Sequence, residues 1–253
     1  MGTAIASTAR DHDDSLGDAL RRVPPLLPIF ATFLVVVIGV GLVLTHMLDG
    51  VTTWDTDVLR RLAETRTDTL NTLTEYGTWL AETVTSIAVL LVALVLACVV
   101  SHGWPLSVFR AVAVGSEKLI YLISSVIVDR PRPPVDTLGT TYATASFPSG
   151  HVGTAITLYG GIALVVGALS GRRALRNGLL VVAFAIAAVV AYCRMYRGFH
   201  FPTDVLVGAA VGTSCLVVSW LGIGRFAPSN RLRPGGDLAA ERPWQPVQDT
   251  RLT

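Results

Sequence analysis

Six long apolar stretches confine this chain to one kind of solvent: Leu27–Leu48, Val84–Val100, Leu106–Val128, Val152–Ser170, Asn177–Cys193 and Val205–Gly222. A helix needs about 20 apolar residues to cross the hydrocarbon of a bilayer. In a water-soluble protein such runs would have to be buried, and only 15% of the 253 residues are charged, too few for the polar shell that would bury six of them. With no water to satisfy backbone groups in a bilayer, each run must also be helical. The expectation is an all-α polytopic membrane protein of six transmembrane helices. One membrane domain, residues 26–223, accounts for all of them, and no internal repeat divides it. Residues 1–25 and 224–253 are expected to be flexible cytoplasmic tails. The first carries Asp11, Asp13, Asp14 and Asp18 ahead of an apolar run too long for a cleavable leader; the second is rich in Arg, Pro and Gly.

Loop arginines orient the bundle. Arg21 and Arg22 precede the first run, Arg172, Arg173 and Arg176 fill the link between the fourth and fifth, and Arg225, Arg231 and Arg233 follow the sixth. Excess positive charge marks cytoplasmic loops, so both termini are expected inside a bacterial cytoplasmic membrane. The loops around 129–151 and 194–204 then share the outer face. Residues 49–83, on that same side, place Trp54, Val58, Leu62, Leu70, Leu73 and Leu80 at roughly helical spacing among charged residues. They read as an amphipathic segment lying at the interface or capping the bundle.

Other function classes find little support. The net charge is +2 and the arginines are scattered rather than striped, so no nucleic-acid surface is expected. Cys98, Cys193 and Cys215 sit in or at the ends of apolar runs without metal-ligand spacing and read as packed thiols. No clustered carboxylates, zinc motif or glycine-rich phosphate loop appears, so neither a metal nor a cofactor is expected. His12, His46 and His102 stand outside any chemical motif and read as solvated or interfacial.

Three elements carry chemistry: Asp129-Arg130-Pro131-Arg132-Pro133, Phe147-Pro148-Ser149-Gly150-His151, and Arg194-x5-His200-x3-Asp204. Ser149-Gly150-His151 opens the fourth run, where free N–H groups and the helix dipole favour an anion. Arg132 and Arg194 offer planar, permanently charged forks that fit phosphate oxygens. Histidine can attack phosphorus or move a proton near neutral pH. Asp204, in the first turn of the sixth run, is expected to hold the His200 imidazole in one tautomer. Converging polar groups at the ends of membrane segments point to function.

These motifs resemble those of the type 2 phosphatidic acid phosphatase family, whose pattern is Lys-x6-Arg-Pro, Pro-Ser-Gly-His and Ser-Arg-x5-His-x3-Asp. The second matches in full, the third except that Cys193 replaces Ser, and the first only at Arg132-Pro133. The resemblance spans roughly residues 80–222. It implies that His200 is the nucleophile, that Asp204 orients it, and that His151 is the general acid and then the base. It also implies that Arg132, Arg194, Ser149 and the Gly150 N–H hold the phosphoryl oxygens. The implied reaction is metal-independent hydrolysis of a lipid phosphate or pyrophosphate, of polyprenyl pyrophosphate, phosphatidate or phosphatidylglycerol phosphate type, through a phosphohistidine.

The departure is at the family lysine, where this chain has Ser125. Lys118, the single lysine, lies seven residues further in, about 10 Å along a helix. Helical side chains lean toward their N-terminus, so Lys118 is expected to point away from the site and to pair with Glu117. Arg130 is then the expected substitute for the missing charge. Two alternatives stay open, a lipid phosphotransferase using the same site and a non-catalytic protein that binds or moves lipid phosphates.

Overall fold

The computed structural model describes residues 16–101, 104–139 and 145–226. Among these residues the chain is all helical, with no strand. Eight helices organise it: α1 (Leu27–His46), α2 (Asp49–Glu64), α3 (Asp68–Trp79), α4 (Thr83–Ser101), α5 (Pro105–Val128), α6 (Gly150–Ser170), α7 (Arg173–Tyr196) and α8 (Pro202–Gly222). Six of them (α1, α4, α5, α6, α7 and α8) are long and apolar enough to cross a membrane. They correspond to the six runs read from the sequence.

Side-chain placement fits a hydrocarbon solvent. Val35, Val84, Val95, Val99, Val126 and Val181 are all strongly exposed, a pattern that water would penalise and lipid tails do not. Of the spans, α6 is the most enclosed and α4 the most peripheral. Helices α5, α6 and α8 pack closely at the centre, with α1 and α4 against α5 and α7 against α6. Close approach comes from small residues. A Cβ on Gly208 would collide with the Ser149 carbonyl, and one on Gly212 would stand 2.6 Å from the Gly153 oxygen. Four residues apart on α8, these two glycines let its backbone lie against the start of α6.

Two boundaries differ from expectation. Residues 16–21 are helical and lead through a 3-10 turn, Pro24–Leu26, into α1. The expected tail is therefore folded from residue 16 onward; residues 1–15 lie outside the described residues. Prolines in a first helical turn forfeit no hydrogen bond. Ala19 and Leu26 are buried, the Leu26 side chain packs on Gly222, and the Arg22 guanidinium lies 3.9 Å from the centre of the Phe226 ring. Gly224–Phe226, assigned to the second tail, form a 3-10 turn at this same end. Residues 227–253, like His12 and His102, lie outside the described set. His46 is exposed, and the three cysteines are free thiols.

Candidate active site

Everything polar about the site gathers where α5 and α7 end and α6 and α8 begin. Helix α5 stops at Asp129, whose φ of 44° puts it in the left-handed region that Asp tolerates better than most residues. The turn sends Arg130 inward and Arg132 toward the mouth. Helix α7 stops at Gly198, where φ is +77° and a Cβ would meet the Asp136 carbonyl at 2.9 Å. Only glycine serves at such a position. The chain then runs through Phe199, His200 and Phe201 into Pro202, the first residue of α8.

His200 is almost fully buried, and its Nδ1 lies 2.6 Å from the Ser146 carbonyl oxygen. A carbonyl can only accept, so in the neutral ring Nδ1 carries the proton and the Nε2 lone pair is free. Burial first, and then the charges of Arg194, His151 and Arg132, push the His200 imidazole well below its ordinary range; the Ser146 carbonyl acts in the opposite direction. His151 opens α6 and is partly buried. Arg194, Lys118 and Arg132 are the cations whose charge reaches its ring.

Ser149 caps α6 with its backbone. Its N–H donates to the Asp204 carbonyl at 3.0 Å, while its Oγ is buried with no hydrogen-bond partner. A hydroxyl left this way is ready for an incoming oxygen. The guanidinium of Arg194, buried, stacks 4.0 Å from the Phe199 ring centre. Arg132 Nη1 donates to the Phe199 carbonyl at 2.7 Å. Both cations therefore grip the strand of chain that carries His200. A cavity of about 190 Å³ opens here between His151, Arg194, Arg197 and Phe199 on one side and Glu75, Thr78 and Trp79 of α3 on the other. The segment expected to cap the bundle thus supplies a wall of the pocket.

Three expectations need correction. Asp204 does not hold His200. Its carboxylate accepts from Arg130 Nη1 at 2.6 Å, from the Phe201 N–H at 2.9 Å and from the Ser146 hydroxyl. It thus reaches the His200 ring at one remove: it fixes Ser146, whose carbonyl meets the ring. The geometric reason is that Asp204 is the third residue of α8 and turns back to cap its own helix start.

Arg130 is not a phosphate ligand. It is buried, with one arm on Asp204 and Thr203 and the other on Asp55 Oδ2 at 2.9 Å. The Phe201 ring covers it at 4.3 Å. A guanidinium shared by two carboxylates has no fork left for substrate.

Lys118 does not point away. Its Nζ lies 5.6 Å from the ring centre of Tyr121, one turn outward, and the Tyr121 ring edge lies about where a Gly150 Cβ would touch it, at 3.0 Å. The tie to Glu117 is present but loose, at 3.9 Å; Glu117 also accepts from Thr154 at 3.2 Å. The Tyr121 ring on the next turn draws the ammonium against the ordinary lean of a helical side chain. Ser125, buried, turns its hydroxyl back onto the Leu122 carbonyl.

The sequence reading missed Asp55. It sits on α2 with Leu59 on the buried side of that helix, receives the Thr203 N–H at 3.1 Å and accepts the Thr203 hydroxyl. A carboxylate in register with the apolar stripe of an amphipathic helix was the available signal. A second tie holds the same roof: Arg66 Nη2 donates to the Tyr196 carbonyl at 2.9 Å, at the end of α7.

Comparison with known proteins bears on this arrangement. Residues 106–227 match the PAP2 superfamily. A Bacillus subtilis (strain 168) protein, phosphatidylglycerophosphatase B, is 33% identical over 99 residues, a stretch covering 39% of this chain and 48% of that relative. The match thus spans about half of that relative's length. The crystal structure of a transmembrane PAP2 type phosphatidylglycerolphosphate phosphatase from Bacillus subtilis superposes with a TM-score of 0.65 at 23% identity, covering 83% of this chain and 98% of that one. Aquifex aeolicus LpxE gives 0.53 at 23% identity, over 65% and 93%. At such identities these two structures speak for the fold.

Proposed function

We propose, from the premise that this chain belongs to the PAP2 superfamily through residues 106–227, that it is a lipid phosphatase working without a metal at the membrane–water boundary. The observation that carries this reading is the His200 ring: its Nδ1 is occupied by a carbonyl, so its Nε2 is the neutral nucleophile. In the proposed reaction Nε2 attacks phosphorus and the bond to the leaving oxygen breaks. His151 gives that oxygen its proton. Arg132, Arg194, the Ser149 hydroxyl and the Gly150 N–H bind the three phosphoryl oxygens as charge builds on them. His151 then takes a proton from water, which attacks the phosphohistidine and releases phosphate. Lys118 stands in for the lysine replaced at Ser125, adding positive charge from one turn below Tyr121. The substrate class is a phosphate or diphosphate on an apolar tail, such as phosphatidylglycerol phosphate, phosphatidate or a polyprenyl pyrophosphate.

The test is phosphate release from a panel of these lipids by purified protein in EDTA. Release is expected from at least one, unaffected by chelation; loss on chelation with recovery on adding magnesium would indicate another enzyme class. Because the His200 pKa is lowered, the ring stays unprotonated as pH falls through the ordinary imidazole value of about 6.5. The acidic limb of kcat/KM is therefore expected below about 6.5. A limb at or above that value would contradict a buried neutral nucleophile.

We also propose that the site faces away from the cytoplasm, on the strength of the arginine bias at the opposite end of the bundle. Asp136, beside the site, and Ala174, at the other end, are both exposed. In a cysteine-free background, Asp136→Cys is expected to react with an impermeant thiol reagent in intact cells and Ala174→Cys to stay unlabelled. Reversed labelling would invert the orientation.

A further inference from the structure

Arg110 is the least explained charge among the described residues. It lies on α5 five residues from its first, Pro105, and is 1% exposed. Its Nε, Nη1 and Nη2 all lack a hydrogen-bond partner, and no described carboxylate pairs with it. Eleven residues separate it from Tyr121, which lies beside Gly150 at the candidate active site, or about 16 Å along the helix. Arg110 therefore belongs to the opposite half of the bundle and has no part in the chemistry above.

The surroundings are shaped for this side chain and for something else. Nη1 would stand 3.3 Å from a Cβ on Gly161, so the bare backbone of α6 leaves the guanidinium its niche. From there Arg110 joins the lining of a groove of about 520 Å³ between α4 and α6, within the roughly 300–1,000 Å³ of ordinary ligand sites. Its walls are apolar: Val89, Val92 and Leu96 from α4, Ile162 and Val166 from α6. Val92 and Leu96 are exposed on the lipid-facing side, so the groove opens sideways into the bilayer rather than into water.

An uncompensated guanidinium in hydrocarbon is expensive, and arginines that escape the cost snorkel to the interface. Arg110 does not; it is tucked inward with all its donors free. The complement to such a site is one negative group on a long apolar chain. We propose that this groove binds an anionic phospholipid from the leaflet opposite the candidate active site, its phosphate on Arg110 and an acyl chain between α4 and α6.

The test uses delipidated protein titrated with dioleoyl-phosphatidylglycerol, dioleoyl-phosphatidylcholine or oleate, with retained lipid read by native mass spectrometry. Wild type is expected to hold one phosphatidylglycerol about tenfold more tightly than phosphatidylcholine, and Arg110→Gln to lose about that factor for phosphatidylglycerol alone. Ala93, on the α4 wall, also lines the groove; Ala93→Trp, which fills it and keeps the arginine, is expected to lose both lipids and covers the case in which Arg110→Gln does not fold. Equal affinity for the two phospholipids would overturn the proposal. So would Arg110→Gln or Ala93→Trp binding phosphatidylglycerol like wild type, or oleate binding in place of it. Product binding at the candidate active site would survive both substitutions, so it is distinguished from this groove.

Discussion

His200→Ala is expected to abolish turnover, by at least about 10⁴-fold, while the protein still inserts and folds. The ring is buried, but the partner of its Nδ1 is a backbone carbonyl, which a small residue leaves in place. Of the other candidates among the described residues, His151 is assigned the proton, the Ser149 hydroxyl is assigned a phosphoryl oxygen, and Cys193 is buried at the end of α7. Acid quenching of wild type with labelled substrate is expected to leave phosphate on His200, and His200→Ala to carry none. Turnover near the wild-type level in this variant would end the phosphohistidine reading altogether. Persistent binding of substrate without turnover would instead fit the proposed roles, since the arginines remain.

Asp55→Ala is expected to cost about 3–5 kcal/mol of stability, the usual consequence of removing one partner from a buried ion pair. Asp57, two residues on, provides the control. It faces Arg60 at 3.4 Å with both side chains largely exposed, so Asp57→Ala is expected to cost at most about 1 kcal/mol. Activity should separate the two as well. Asp55 holds Arg130 and Thr203, Arg130 holds Asp204, and Asp204 holds the Ser146 hydroxyl beneath the His200 ring. Loosening the first link is expected to lower kcat in the protein that remains folded. Thermal unfolding in detergent and kcat, measured side by side, check both. An Asp55→Ala protein as stable and as active as Asp57→Ala would show that the roof is decorative.

What the sequence could reveal follows the range of the physics involved. Hydropathy is local, so the six spans were legible, as was the placement of three polar motifs at their ends. Helix ends were less so: α7 runs Arg173–Tyr196, well beyond the apolar stretch Asn177–Cys193. Hydropathy reports the thickness of the hydrocarbon, and a helix with Arg173, Arg176 and Arg194 in its end turns continues past it. The site's partners were harder still. Counting four residues from His200 to Asp204 placed the acid correctly but not its target, because an acid at the third position of a helix serves its own first turn. Arg130 looked like a phosphate grip until Asp55, 75 residues upstream, occupied it. Lys118 was misjudged because rotamer tendency says nothing of the aromatic ring one turn above it.

The ion triad also has a consequence for biogenesis. Its three members enter the chain at widely separated times: Asp55 ahead of five of the six spans, Arg130 midway, Asp204 only with the last span. The PAP2-matching portion, residues 106–227, contains two of them and lacks the third. Excised from its host, that portion would present Arg130 with half its counter-charge and leave the Thr203 N–H without its acceptor. The matching segment is thus not a portable module. Its maturation waits on an upstream helix that carries no signature residue, and the ribosome has finished most of the protein before that helix can close on its partners.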